Sequence, residues 1–228
     1  MSAIISPETF AFLKDLKENN NREWFQENKS RYEKAHANVV EFAEALAEKM
    51  SEHDHLVPRT GKKTLFRIYR DVRFSKNKSP YKTNFGGQFT RATEALRGGY
   101  YFQIEPGNTF MAGGFWAPNA DDLKRIRNEF AFDDQPVRKI IASKEFQHYF
   151  GELKGEGVKT APKGFAKDHP AIDLIRKKQF IVDHYFSDKE VLSEDFVDKI
   201  NETFKALRPY FDYMSEVLTT DENGVSLI

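Results

Sequence analysis

The hydrophobic period of the chain changes near Leu65, and that change narrows the class of fold open to it. Before it, residues of one face recur every three or four positions: Phe10, Leu13 and Leu16, then Phe25, Asn28, Tyr32, Ala35, Val39, Phe42 and Leu46, each set the buried stripe of a helix. After it, Phe66, Ile68, Val72 and Phe74 fall on even positions and Arg67, Tyr69, Asp71 and Arg73 on odd ones, as in a strand with one buried face. Leu65, Ile68, Tyr69 and Val72 also fit a short helix. Helical spacing returns at Asn119. Helices, then strands, then helices predict an α+β fold rather than alternating βαβ units.

The boundaries follow from local chemistry. Ser6-Pro7-Glu8 starts a first helix, and an asparagine of Asn19-Asn20-Asn21 caps a second, predicted as one rod of about 40 Å from Arg22 to Met50. Strands are predicted over Leu65–Phe74, Asn84–Thr90, Gly99–Glu105, Thr109–Phe115 and Phe180–Phe186. Glu105-Pro106-Gly107-Asn108 has the proline and glycine of a type II turn, which makes the strands flanking it an antiparallel hairpin. Further helices are expected over 119–130, 136–150 and 171–178, with a long surface loop from Gly151 to Asp168. Ser187 and Glu190 form a capping-box pattern. A closing helix from Phe196 to Leu218 should kink at Pro209, with a tail that frays from Thr219. The expectation is a single domain over residues 1–228, an antiparallel sheet of about four to five strands packed by long N-terminal and C-terminal helices.

Composition excludes several functions. With no cysteine among 228 residues, disulfides, thiolate metal sites and cysteine nucleophiles are absent. A formal net charge of zero argues against a protein whose main work is wrapping nucleic acid. The opening MSAIISPETF lacks a signal peptide's basic lead and apolar run, and no window approaches a membrane span, so a cytoplasmic setting without a membrane partner is expected. Phenylalanine is abundant, at 21 residues, so rings rather than branched aliphatics should fill the core.

Against that neutral background one segment stands out. From Gly61 to Phe85 there are eight basic residues and a single acid, Asp71, for a local charge of +7. On the predicted strand Arg70 lies between Ile68 and Val72 on the apolar face, where a guanidinium needs a carboxylate or an anionic ligand. Asp71 and Arg73 share the other face and can pair, bracing the sheet. The loop Ser75-Lys76-Asn77-Lys78-Ser79-Pro80-Tyr81-Lys82 reads either as a solvated hairpin loop or as an anion cradle in which backbone N–H groups form a nest and Tyr81 orients the ligand. It lacks P-loop spacing. The candidate ligand-binding residues are Arg67, Arg70, Arg73, Ser75, Lys76, Lys78, Tyr81 and Lys82.

Other residues carry weaker signals. Gly86-Gly87, Gly98-Gly99 and Gly113-Gly114 permit either an open floor for a ligand or aromatic rings folded over glycine. The six histidines show no metal-ligand spacing: His53 and His55 flank Asp54 in a polar connector, and His169 precedes a helix start. No GxSxG is present, and Ser75 is the only serine in an electropositive setting. Asp121-Asp122 and Asp133-Asp134 complement helix dipoles.

Asn21-Arg22-Glu23-Trp24-Phe25, RIYRDVRFSKNKSPYKTNFGG from Arg67, GGYYFQIEP from Gly98, MAGGFWAP from Met111, APKGF from Ala161 and DHPAIDLIRKK from Asp168 together resemble the DUF2461 family of bacterial and fungal proteins. The resemblance spans nearly the whole chain and implies one domain in a cytosolic setting. It names no reaction, cofactor or catalytic residue, and places Arg70, Asp71, Arg73, Ser75, Lys78, Tyr81 and Lys82 in the family's motif.

Three functional readings follow. The first is a pocket for an anionic small molecule bearing phosphate or carboxylate, with Arg70 and Arg73 as bidentate clamps, lysines as point charges, and catalysis left open. The second is a nucleic-acid-binding module using the same charges with rings for stacking. The third is a scaffold without a ligand. No cofactor, metal or oligomeric state is indicated.

Overall fold

The computed structural model describes residues 3–221 and 224–228. Ser6 caps α1 (Pro7–Glu18), its hydroxyl accepting from the Thr9 N–H. Asn21 caps α2 (Arg22–Glu27) in the same way through the Trp24 N–H. The rod expected from Arg22 is broken before α3 (Lys29–Met50). Asn28 leaves the helical range at φ −102° and ψ 17°, and its side-chain amide and backbone N–H both donate to the Trp24 carbonyl, at 2.9 and 3.0 Å, closing α2. Next come α4 (Gly61–Thr64), β1 (Phe85–Thr90), β2 (Gly99–Ile104) and β3 (Thr109–Phe115). They are followed by α5 (Ala120–Phe132), α6 (Gln135–Ile141), α7 (Lys144–Tyr149), α8 (Ile172–Ile175), β4 (Phe180–Phe186), α9 (Asp188–Val191), α10 (Phe196–Ala206) and α11 (Arg208–Thr219).

Two more expected helices are split. Ser143 caps α7 and so divides the 136–150 segment, and Pro209 occupies the first turn of α11, where its fixed φ opens a new helix rather than kinking an old one. The Ser187 capping box is formed. Of the tail expected to fray, residues 222 and 223 lie outside the described residues, while Thr220 pairs with Ser226 in an antiparallel bridge.

The four strands form one antiparallel sheet in the order β1-β2-β3-β4, which makes the chain α+β. The predicted type II turn joins β2 to β3: Asn108 N–H donates to the Glu105 carbonyl at 2.9 Å, and Gly107 has φ +74°. The segment Leu65–Phe74 is not a regular strand. It touches the chain beyond it through two isolated antiparallel bridges, Leu65 with Gly87 and Tyr69 with Tyr81. Ile68 is buried as expected, but Phe66 is 40% exposed and Phe74 97% exposed, so the even-numbered face enters the core only at Ile68.

The chain divides into two compact units, one of Met1–Phe89, Tyr101–Met111 and Tyr185–Glu202, the other of Thr90–Tyr100, Ala112–His184 and Thr203–Ile228. In the first, α1 and α3 cover their strands with rings: Phe12 stacks on Phe85 at 6.5 Å, and Phe42 meets Phe102 edge-on at 5.9 Å. In the second, α11 does so, with Phe211 edge-on to Tyr100 at 4.9 Å and to Phe115 at 6.0 Å. The phenylalanine-rich composition is thus used largely in helix-to-sheet contacts.

Tyr210 of α11 is fully buried, and its hydroxyl donates to the Phe180 carbonyl at 3.2 Å. Burial pushes this phenol well above its ordinary value of 10.0. Because the folded-state value is the higher one, the stabilisation is complete below pH 10 and is lost as pH rises further, where the unfolded chain ionises first. Tyr213, raised by burial and by Glu129, acts in the same direction. Unfolding free energy should therefore fall above about pH 10 by about 1.4 kcal/mol per pH unit for each such phenol. Tyr210→Phe should remove one phenol's share of that slope in urea titrations, and an unchanged slope would show that Tyr210 does not cause it.

Candidate anion-binding site

The basic segment folds as a hairpin-like projection in the first unit. Its limbs are joined by Phe66 N–H to the Gly86 carbonyl, Lys82 N–H to the Ile68 carbonyl and Arg70 N–H to the Pro80 carbonyl, at 2.8, 2.7 and 2.9 Å. Asn20, in the connection between α1 and α2, holds the returning limb. Its side chain accepts from Tyr81 N–H at 3.1 Å and donates to the Tyr81 carbonyl at 3.0 Å, mimicking one rung of a strand ladder. Nothing local in the sequence around Asn20 signals this role, because its partner lies 61 residues away.

The tip is tied by its own polar groups. Asp71 accepts from Arg73 through Nη2 at 2.6 Å, through Nε at 3.0 Å and through the backbone N–H at 3.2 Å. Those bonds from Arg73 hold the Asp71 carboxyl below its ordinary value and raise the guanidinium. Lys78 Nζ donates to the Val72 carbonyl at 2.9 Å, and Ser79 N–H to Asn77 Oδ1 at 2.9 Å. Ser75, half-buried, gives its N–H to the Val72 carbonyl at 3.3 Å. The N–H groups of Arg73, Ser75 and Ser79 are engaged internally.

The predicted residues separate by what they already touch. Tyr81 is buried and stacked on Phe25, with ring centroids 3.9 Å apart, so it is part of the core rather than a group facing a ligand. Lys82 is half-buried with its ammonium 5.4 Å from the Phe66 ring centroid, and desolvation lowers its pKa. Arg73 and Lys78 are bonded as above. Arg70, expected between apolar neighbours, is half-buried and gives one N–H to the Ser79 carbonyl at 3.1 Å. Its other side-chain donors have no protein acceptor among the described residues. Arg67 and Lys76 are exposed and, among the described residues, unpaired.

The eight residues do not line an enclosed pocket. A groove of about 480 Å³ in the same unit is bordered by Lys14, Lys17, Glu18, Thr83, Glu105 and Asp188, and holds none of them. Phe74, assigned to the buried face by periodicity, is instead the most exposed ring at the basic tip. The available signal was its isolation: Arg73 precedes it and Ser75-Lys76-Asn77-Lys78 follows, with no apolar partner.

Elsewhere the candidate groups have structural partners. His53 Nε2 bonds Asn201 Oδ1 at 3.0 Å, Asp54 accepts from His55 N–H at 2.7 Å, and His169 Nδ1 accepts from Ala171 N–H at 3.1 Å. No group of three or more histidine or carboxylate side chains converges as a metal site among the described residues. Asp122 pairs with Arg97 and Asp134 with Arg138. Four glycines of the double pairs are covered by side chains, Gly86 by Tyr101, Gly87 by Phe102, Gly98 by Phe211 and Gly113 by Leu207, while Gly114 meets the backbone of β4.

The fold and the basic projection thus define a mixed α+β protein carrying an exposed cationic hairpin. The chain belongs to the DUF2461 family, described as a conserved hypothetical protein, whose model matches residues 8–213. No curated protein and no solved structure matches it. Among the described residues no helix is long and apolar enough to cross a membrane.

Proposed function

We propose that the chain binds a phosphate-bearing ligand on the open face of the Leu65–Lys82 hairpin. The observation that carries this reading is the tip itself, where Phe74 stands 97% exposed on a loop tied down by Asp71, Asn77 and Lys78. A fully solvated ring contributes nothing to the core, and the same hairpin carries Arg67, Arg70 and Lys76 with donors to spare. Guanidinium groups and an ammonium arranged in the open suit phosphate oxygens better than an enclosed small ligand.

Calorimetry with inorganic triphosphate at low ionic strength tests it. Wild type should bind, and Arg67→Gln combined with Lys76→Gln should weaken binding by about tenfold, as expected for two exposed charge contacts. Both side chains are exposed, so the fold should persist. Absence of wild-type binding, or equal binding by the double variant, would defeat this assignment.

A further inference from the structure

A second feature of the first unit was not visible as a motif. Phe66 on the basic hairpin, Tyr101 on β2, Phe110 on β3 and Tyr185 on β4 come from four separate stretches of sequence, yet they form one row. Successive ring centroids are 6.2, 5.6 and 5.2 Å apart, with interplanar angles of 34°, 49° and 35°. The row lies on the face opposite the core. Tyr100, Phe102 and Ile104 of β2 are buried, while Tyr101 alternates with them to the other side. Tyr185 is 56% exposed, Phe66 is 40% exposed, and Tyr101 and Phe110 are half-buried.

The row is held in place from both sides. Gly86 on β1 leaves room for the Tyr101 ring, since a Cβ there would fall 2.9 Å from its hydroxyl oxygen. That hydroxyl donates to Gln103 Oε1 at 3.1 Å, and Gln103 Nε2 donates to Glu105 Oε2 at 2.9 Å. Glu105 also accepts from Thr83 at 2.6 Å and from the Asn108 amide at 2.9 Å, so the carboxylate beside the row is surrounded by donors. Cross-strand ring pairs stabilise a sheet by themselves, but that does not require a solvent-facing series continued onto a separate hairpin. At the Phe66 end the row meets cations: the Lys82 ammonium lies over the Phe66 ring, and Arg67 follows it in the chain.

We infer that this row is a stacking platform for the bases of a single-stranded nucleic acid, whose phosphates run along the basic hairpin. This rests on the phosphate-binding reading above and names its ligand class. Aromatic platforms flanked by positive charge bind single strands with little sequence preference, because every base presents a π face. The +7 charge of the Gly61–Phe85 segment supplies the complement to a phosphodiester backbone that a neutral sugar chain or an apolar protein surface would not use.

The test uses the full chain and two fluorescein-labelled oligonucleotides of equal length, oligo(dT) and the same backbone with abasic sites, followed by anisotropy at low salt. Oligo(dT) should bind at least about tenfold more tightly than the abasic strand. Tyr185→Ala and Phe66→Ala, both at partly exposed sites, should each weaken oligo(dT) binding by about fivefold or more and move that ratio toward one. Equal affinity for the two strands by wild type would overturn the platform while leaving the phosphate reading intact. So would triphosphate binding without oligonucleotide binding. Failure to bind triphosphate or either strand would remove both readings. Competition by a neutral oligosaccharide that is lost in Tyr185→Ala would assign the row to sugars and also overturn the inference.

Discussion

Gly114→Ala should destabilise the protein by about 4 kcal/mol, through a mechanism that no side-chain repacking relieves. Gly114 in β3 has φ +128°, a backbone conformation rarely adopted by residues with a Cβ. A Cβ built there would fall against the Phe180 carbonyl oxygen and 2.8 Å from the Ile181 Cα, both backbone atoms of β4. Relief requires the two strands to separate, which removes ladder hydrogen bonds as well as packing. Gly107→Ala is the control: its φ is +74°, but nothing lies within 4 Å of the position a Cβ would take. It should cost only about 1 kcal/mol. Urea midpoints of the two variants compare strain alone with strain plus collision. Equal midpoints would show that the approach of β4 to Gly114 is unimportant.

Arg91→Ala should cost about 3 kcal/mol or more. The Arg91 side chain is 0% exposed and is bonded on several sides. It donates to the Arg97 carbonyl at 2.9 Å, to Ser215 Oγ at 3.1 Å and to Asp212 Oδ1 at 3.1 Å, and its guanidinium carbon lies 5.3 Å from the Phe211 ring centroid. Truncation would leave the Arg97 carbonyl and Ser215 short of a donor and open a void beside Phe211. Asp212 is half-exposed and also accepts from Arg208 at 2.9 Å. Asp212→Ala should therefore cost much less, about 1 kcal/mol, because water replaces part of what Arg91 loses. Thermal or denaturant melts giving the reverse order would place the stabilisation in the ion pair rather than in the buried hydrogen-bond set.

Much of the fold was legible because it is written in short-range chemistry. The Ser6 and Ser187 caps, the turn at Gly107 and the strand from Phe180 to Phe186 each depend on a few adjacent residues. The misread elements show where short-range rules compete. Asn28 ends a helix that residue spacing alone would continue, its backbone leaving the helical range while its amide closes on the Trp24 carbonyl. Between Leu65 and Phe74 the alternation is that of a strand, but the pairing changes register between the Leu65–Gly87 and Tyr69–Tyr81 bridges, so no continuous ladder forms, and the Asp71–Arg73 bonds turn the chain beyond them. The basic candidates were readable as a charge cluster. Which of them keep open donors was not, because that depends on Ser79, Asn77 and the backbone carbonyls they meet in the folded loop.

By itself, then, the sequence determined the α+β class, the ring-filled core and the location of a concentrated positive charge, all consequences of period, composition and local capping. Only the tertiary structure decided that Tyr81 belongs to the core while Phe74 faces water, and that Phe66, Tyr101, Phe110 and Tyr185 form one row. The reason is physical. Exposure and cross-strand neighbours are set by which distant segments pair, and strand register is a long-range quantity with no signature in the residues on either side of a single ring.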